Sequence, residues 1–69
     1  MTFGERIVYL RKEQGITQKE LAKKVGVSRQ IMRLYEYDLA DPKLFVFMCL
    51  ADALGVSLDY LARGDKNEV

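Results

Sequence analysis

A chain of 69 residues that is 49% hydrophobic makes one small domain, and it holds no low-complexity stretch that would argue for disorder. One cysteine, Cys49, and no histidine exclude an intramolecular disulfide, a cysteine/histidine metal cage and a histidine acid–base pair. The net charge of +1 hides an asymmetry: residues 1–34 carry eight basic side chains against three acids, and residues 35–69 carry three against seven, so one half is expected to attract polyanions and the other to stay off them.

A core this small leaves much of its surface wet, so stability must come from well-capped helices or from a partner chain, and dimerisation is expected on those grounds. No charged-then-apolar leader opens the chain, and no apolar run approaches the roughly 20 residues that span a bilayer. With a lone cysteine, the expected location is a reducing one, the cytoplasm.

Thr2 followed by Glu5 has the capping-box spacing, and Phe3, Ile7 and Leu10 recur at helical intervals, which predicts a first helix from Phe3 to Gln14. Gly15 supplies a left-handed stop. Thr17 with Glu20 repeats the box ahead of Leu21, Ala22 and Val25, giving a short second helix from Gln18 to Val25. Gly26 can take a positive φ, and Ser28 is a natural N-cap, so a tight corner leads into a third helix. On that helix Met32 and Tyr35 point one way, while Gln30, Arg33, Leu34 and Tyr37 point the other.

Asp41-Pro42 reads as an N-cap with proline at the first helical position, and Leu44, Phe47, Leu50, Ala51 and Leu54 carry the inward stripe of a fourth helix ending at Gly55. Ser57 caps a last helix with Leu58 and Leu61 turned inward. The domain is expected to span 1–63, with 64–69 a loose polar tail. No alternation or turn pair marks a strand, so the fold class is all-α.

Two short helices around a three-residue glycine turn have the spacing of a helix-turn-helix, though helical hairpins of this kind also occur in plain bundles. The residue detail is more specific. The run Gly15-Ile16-Thr17-Gln18-Lys19-Glu20-Leu21-Ala22-Lys23-Lys24-Val25-Gly26-Val27-Ser28-Arg29-Gln30 closely resembles the core of the Cro/repressor-type (Xre) regulators, bacterial and phage proteins. The resemblance continues through Glu36, Pro42 and Leu44 to Leu50-Ala51-Asp52-Ala53-Leu54-Gly55-Val56-Ser57-Leu58-Asp59-Tyr60-Leu61. It implies a compact five-helix lambda-repressor-like domain that binds double-stranded DNA as a homodimer.

On that resemblance Gln18 holds a DNA phosphate beside the first amides of its helix, and Arg11 bridges to Glu36 to orient the recognition helix. Ala22 and Gly26 are the small residues that let the second and third helices cross closely. Ser28, Arg29 and Gln30 face the major groove, followed by Ile31, Arg33 and Leu34. The chemistry agrees: arginine can grip guanine O6 and N7, glutamine can grip adenine N6 and N7, and an apolar side chain can rest on a thymine methyl. Arg29 and Gln30 are the leading base readers, Arg33 suits base or phosphate alike, and Ser28 is placed for phosphate. Lys19, Lys23 and Lys43 are backbone contacts or solvated lysines.

Two departures from the family pattern stand out. The run Glu36-Tyr37-Asp38-Leu39-Ala40-Asp41-Pro42 has Asp38 where relatives end the helix with glycine, and two acids where they place cations, which would repel a phosphate unless the loop swings away. Phe45, Val46, Met48 and Cys49 make the fourth helix apolar nearly all round, which points to a thick core or to an interface. Phe45 and Met48 on its outer face, with Leu58 and Tyr60 that the family resemblance places nearby, are the expected dimer contact. The leading function is a sequence-specific transcriptional regulator, a repressor on a near-palindromic operator. The second is a protein-interaction module, an antitoxin or co-regulator, with secondary DNA contacts. No nucleophile–base constellation, phosphate loop or metal motif supports an enzyme or calls for a cofactor.

Overall fold

Threonine and serine set four of the helix starts, because each places a side-chain oxygen where the first turn has unpaired amides. The computed structural model describes residues 1–64 and orders five helices as α1 (Phe3–Glu13), α2 (Gln18–Val25), α3 (Arg29–Glu36), α4 (Leu44–Leu54) and α5 (Leu58–Arg63). Thr2 Oγ1 accepts from the Glu5 amide at 3.1 Å while Glu5 Oε1 accepts from the Thr2 amide at 2.9 Å, and Thr17 and Glu20 close the same box at 3.1 and 2.8 Å. The backbone N–H of Thr17, and then its hydroxyl, hold the Glu20 carboxyl below its ordinary pKa. Ser28 and Ser57 cap α3 and α5 through the amides of Ile31 and Tyr60. Among the described residues there is no strand; residues 65–69 of the expected polar tail lie outside them.

The apolar stripes meet in one core of Ile7, Leu10, Leu21, Ala22, Val25, Met32, Tyr35, Leu50, Ala51, Leu54 and Leu61. In it α1 packs on α3 and α5, α2 packs on α3 and α4, and α4 packs on α5. The rings of Phe3 and Phe47 meet at the rim, with centroids 6.1 Å apart. Gln14 Nε2 donates to the Leu54 carbonyl at 2.6 Å and so satisfies a free acceptor at the end of α4.

Four expectations give way to tertiary constraints. Lys43, not Asp41, is the N-cap of α4, without a side-chain capping bond, and Pro42 lies before the helix. The loop leaves α3 from a fixed point at Asp38, and α4 is set by Leu50, Ala51 and Leu54 in the core, so the residues between take up the span and helix formation starts late. Leu44 consequently stands in the first turn and is 71% exposed instead of inward. In α5, likewise, only Leu61 turns inward, and Leu58 in the first turn is 43% exposed. Gly26 does not serve a close helix crossing, since a Cβ there would meet nothing within 4 Å; its φ of +87° is what calls for glycine.

The close approach falls instead at Gly4. A Cβ on Gly4 would collide with the Glu36 carbonyl and lie 2.7 Å from that of Tyr35, so the start of α1 lies directly on the end of α3. Arg6, counted above among the charges that draw polyanions, is buried at 7% exposure, and its guanidinium donates to the Leu61 and Met1 carbonyls at 2.8 and 3.1 Å. A cation at the last carbonyls of α5 is favoured by the helix dipole.

Gly4→Ala is expected to lower unfolding free energy by roughly 1–3 kcal/mol or more, since the obstruction is backbone. Gly26→Ala, which has only its left-handed backbone to strain, should cost roughly 1–2 kcal/mol. Urea unfolding of both variants beside the parent protein checks the order.

Candidate nucleic-acid interface

Because α3 buries Met32, Tyr35 and Glu36, its other residues are left on its outer side. Arg29, Gln30, Ile31, Arg33 and Leu34 are all exposed, the two apolar ones at 38% and 37%. The five side chains named from sequence as base readers therefore share one accessible helix surface. Gln18 at the start of α2 joins Arg29, Gln30, Arg33 and Tyr37 around a shallow groove. Lys19 and Lys23 on α2 and Lys43 before α4 are exposed, and none forms an ion pair among the described residues. Ser28 is also exposed; its oxygen already accepts from the Ile31 amide at 3.1 Å, which leaves its O–H free to donate.

A chain of hydrogen bonds ties this surface to the body of the domain. Arg11 and Glu36 meet in a two-pronged ion pair, Nε to Oε2 at 2.8 Å and Nη2 to Oε1 at 3.2 Å, with side chains only 12% and 6% exposed. Arg11 Nη1 also donates to the Ile16 carbonyl at 3.1 Å. Gln18 Nε2 donates to Glu36 Oε1 at 2.9 Å, and that contact turns its amide so that Oε1 accepts from Arg29 Nε at 3.3 Å. Among the described residues the terminal nitrogens of Arg29 have no hydrogen-bond partner. At the far end of the helix, the guanidinium carbon of Arg33 lies 5.8 Å from the centroid of the Tyr37 ring.

Sequence reasoning gave Gln18 a phosphate and treated Arg11–Glu36 as a separate pair; the structure joins all three, and Arg29, in one series. That series could not be read from spacing, because its members come from α1, α2 and both ends of α3. Gly4 did leave a signal, since a glycine inside a helical pattern costs about 1 kcal/mol relative to alanine and so asks for a packing reason.

The expected dimer residues lie on another part of the surface. Phe45 is 75% exposed, Met48 and Leu58 are each 43% exposed, and Tyr60 is half-buried. Among the described residues no group of three or more Cys, Asp or Glu side chains is placed to hold a metal ion, and no helix is long and apolar enough to cross a membrane.

Comparison with known proteins places these features in a family. Residues 7–61 match the helix-turn-helix family model HTH_3. The chain is 35% identical over 66 residues to YqaE of Bacillus subtilis, an uncharacterized HTH-type transcriptional regulator, covering 96% of this chain and 57% of that protein. It spans 52 to 57% of the length of such Bacillus subtilis regulators. Among solved structures, the P22 c2 repressor, of a Salmonella phage, in complex with a synthetic operator superposes with a TM-score of 0.90 at 38% identity, covering 94% of this chain and 98% of that one. SinR of Bacillus subtilis in its complex with SinI gives a TM-score of 0.85 at 29% identity, covering 99% and 67%.

Arg11→Ala is expected to destabilise the fold by about 3 kcal/mol, because it leaves the Glu36 charge buried without a counter-charge, with only a hydrogen bond from the Gln18 amide. Replacing both partners, Arg11→Met with Glu36→Leu, should recover most of that loss, as read by thermal or urea unfolding.

Proposed function

Since the chain belongs to the helix-turn-helix family, we propose that it is a DNA-binding transcriptional regulator, a repressor of bacterial or phage type, that sits on a near-palindromic operator as a homodimer with α3 in the major groove. The observation that carries this reading is the outer surface of α3, where two arginines and a glutamine stand exposed beside two partly exposed apolar side chains. Such a surface has the donors for guanine and adenine edges and the apolar contact for thymine methyls. Arg29 and Gln30 read bases, with Ile31 and Leu34 on thymine methyls and Arg33 beside them. Gln18, Ser28, Lys19, Lys23 and Lys43 hold the phosphate backbone, Gln18 using the second N–H of its amide.

The relay through Gln18 supports this assignment, because an arginine already held on one nitrogen loses less freedom when its two terminal nitrogens meet a guanine. Arg11 and Glu36 act behind it, by fixing α3. The regulator acts in the cytoplasm, on DNA, with no enzymatic step.

Phe45, Met48, Leu58 and Tyr60 form the contact with the second copy, which brings the two α3 helices about one DNA turn apart, 34–36 Å. A second reading has the same exposed Phe45 engage a different protein, as SinR does SinI, with DNA contacts secondary.

Selection of bound duplexes from a random-sequence pool at near-physiological salt should enrich a two-fold symmetric motif with half-sites one turn apart; a folded protein that enriches no sequence would overturn the reading. On the selected duplex, Arg29→Ala should cost roughly 1–3 kcal/mol and relax one position of the motif. Lys23→Ala should weaken all duplexes alike and reduce the salt slope by about 1. Phe45→Asp should give a folded monomer by sedimentation that has lost cooperative occupancy of the two half-sites. A dimer that survives Phe45→Asp would move Phe45 to the partner-binding reading.

A further inference from the structure

Asp38 follows α3 with φ +61°, the single non-glycine residue with positive φ among the described residues. Aspartate tolerates this region better than most residues but at a cost, so something must hold it there. Its carboxylate accepts from two groups at the start of α1: Oδ2 from the Thr2 hydroxyl at 2.6 Å and Oδ1 from the Gly4 amide at 2.8 Å. The Thr2 hydroxyl oxygen accepts from the Glu5 amide at the same time, so a single threonine caps α1 and ties it to the residue that follows α3. The two hydrogen bonds, the hydroxyl's first, keep the Asp38 carboxyl below its ordinary pKa. Beneath this clasp Gly4 leaves no space between the first turn of α1 and the Tyr35 and Glu36 carbonyls at the end of α3. The amide end of α1 thus meets the carbonyl end of α3 with an acid between them, favoured by the α1 dipole and opposed by that of α3, so the hydrogen bonds from Thr2 and Gly4 are what hold it.

We propose that Asp38 is a positioning residue for DNA recognition: it clamps the C-terminal end of α3 onto α1 and gives its charge to the α1 amides instead of leaving it to face a phosphate. The proposal rests on the DNA-binding reading and deepens it. The Arg11–Glu36–Gln18 series fixes α3 from its side, and Asp38 fixes its end, so the helix is held at the angle at which Arg29 and Gln30 reach the bases. In this chain Asp38 then serves specificity instead of lowering affinity.

The opposite view, that Asp38 is an unhelpful negative charge near the backbone, predicts that its removal strengthens binding to every duplex alike and leaves the ratio between a specific and a shuffled duplex unchanged. Asp38→Gly suits the backbone at φ +61° and removes only the clasp, so the variant should fold, as urea unfolding will verify. Its affinity is measured for the duplex recovered by selection and for a shuffled duplex of the same length. We expect the ratio of the two to fall about tenfold, the order of a lost charge-assisted hydrogen bond. Asp38→Asn, which keeps an acceptor for the Gly4 amide, should fall between. An unchanged or raised ratio overturns the proposal.

A second measurement needs no DNA. Hydrogen exchange at the amides of Tyr37 and Leu39, which close the end of α3 on the Arg33 and Leu34 carbonyls, should quicken in Asp38→Gly while the amides of α2 keep their rates. Equal rates in parent and variant overturn the clasp even if the protein binds no selected sequence. If no sequence is selected but exchange quickens, the clasp stands and the DNA-binding reading falls.

Discussion

The Glu36 carboxylate, 8% exposed as a residue, is the point on which the geometry of the outer α3 surface depends. A carboxylate taken out of water must have its oxygens filled, and here Arg11 from α1 and Gln18 from α2 fill them while Glu36 itself ends α3. Three helices are therefore referred to one charged group. Apolar packing alone would hold them together without fixing their angles so closely, since it is not directional. The same group also orients the Gln18 amide, and through it Arg29, so a buried ion pair reaches the surface by two further hydrogen bonds.

Charge in this domain is redistributed by folding. The basic excess of the first half loses Arg6 to the Leu61 and Met1 carbonyls and Arg11 to Glu36, so the cations it leaves on the surface are Lys12 on α1 and those on α2 and α3. Of the acids in the second half, Asp38 turns to the α1 amides. What remains on α2 and α3 is Lys19, Lys23, Lys24, Arg29 and Arg33, fewer cations than the count of charges implied. Of the two acids in the loop after α3, Asp38 is thus turned to α1, while Asp41 is exposed.

The apolar character of α4 has a simpler physical origin. Five helices of 6 to 11 residues enclose a core of eleven side chains, and α4 can turn only Leu50, Ala51 and Leu54 fully into it. Val46, Phe47 and Cys49 are partly covered at the edges, and Leu44, Phe45 and Met48 are left in solvent. A surface of this kind is the part of the molecule with most to gain from a second chain.

Five helices and nearly all their ends were legible in the sequence, because capping boxes, N-cap serines and positive-φ glycines act over a few residues and need no partner elsewhere. The exposed face of α3 was legible for the same reason, since one buried Met32 and one buried Tyr35 at helical spacing determine which residues stand opposite. The start of α4 was not, because Asp41-Pro42 is a good local signal that the distance between two fixed ends overrides. Nor were the burial of Arg6, the contact of Gly4 with α3, the path from Arg11 to Arg29 and the turn of Asp38 toward Thr2. Most of these join residues distant in the chain, and whether two such groups meet depends on angles between helices that exist only in the folded domain. The sequence by itself determined where the helices are and which side chains α3 offers; the tertiary structure decided which charges are satisfied internally and which are left for a ligand.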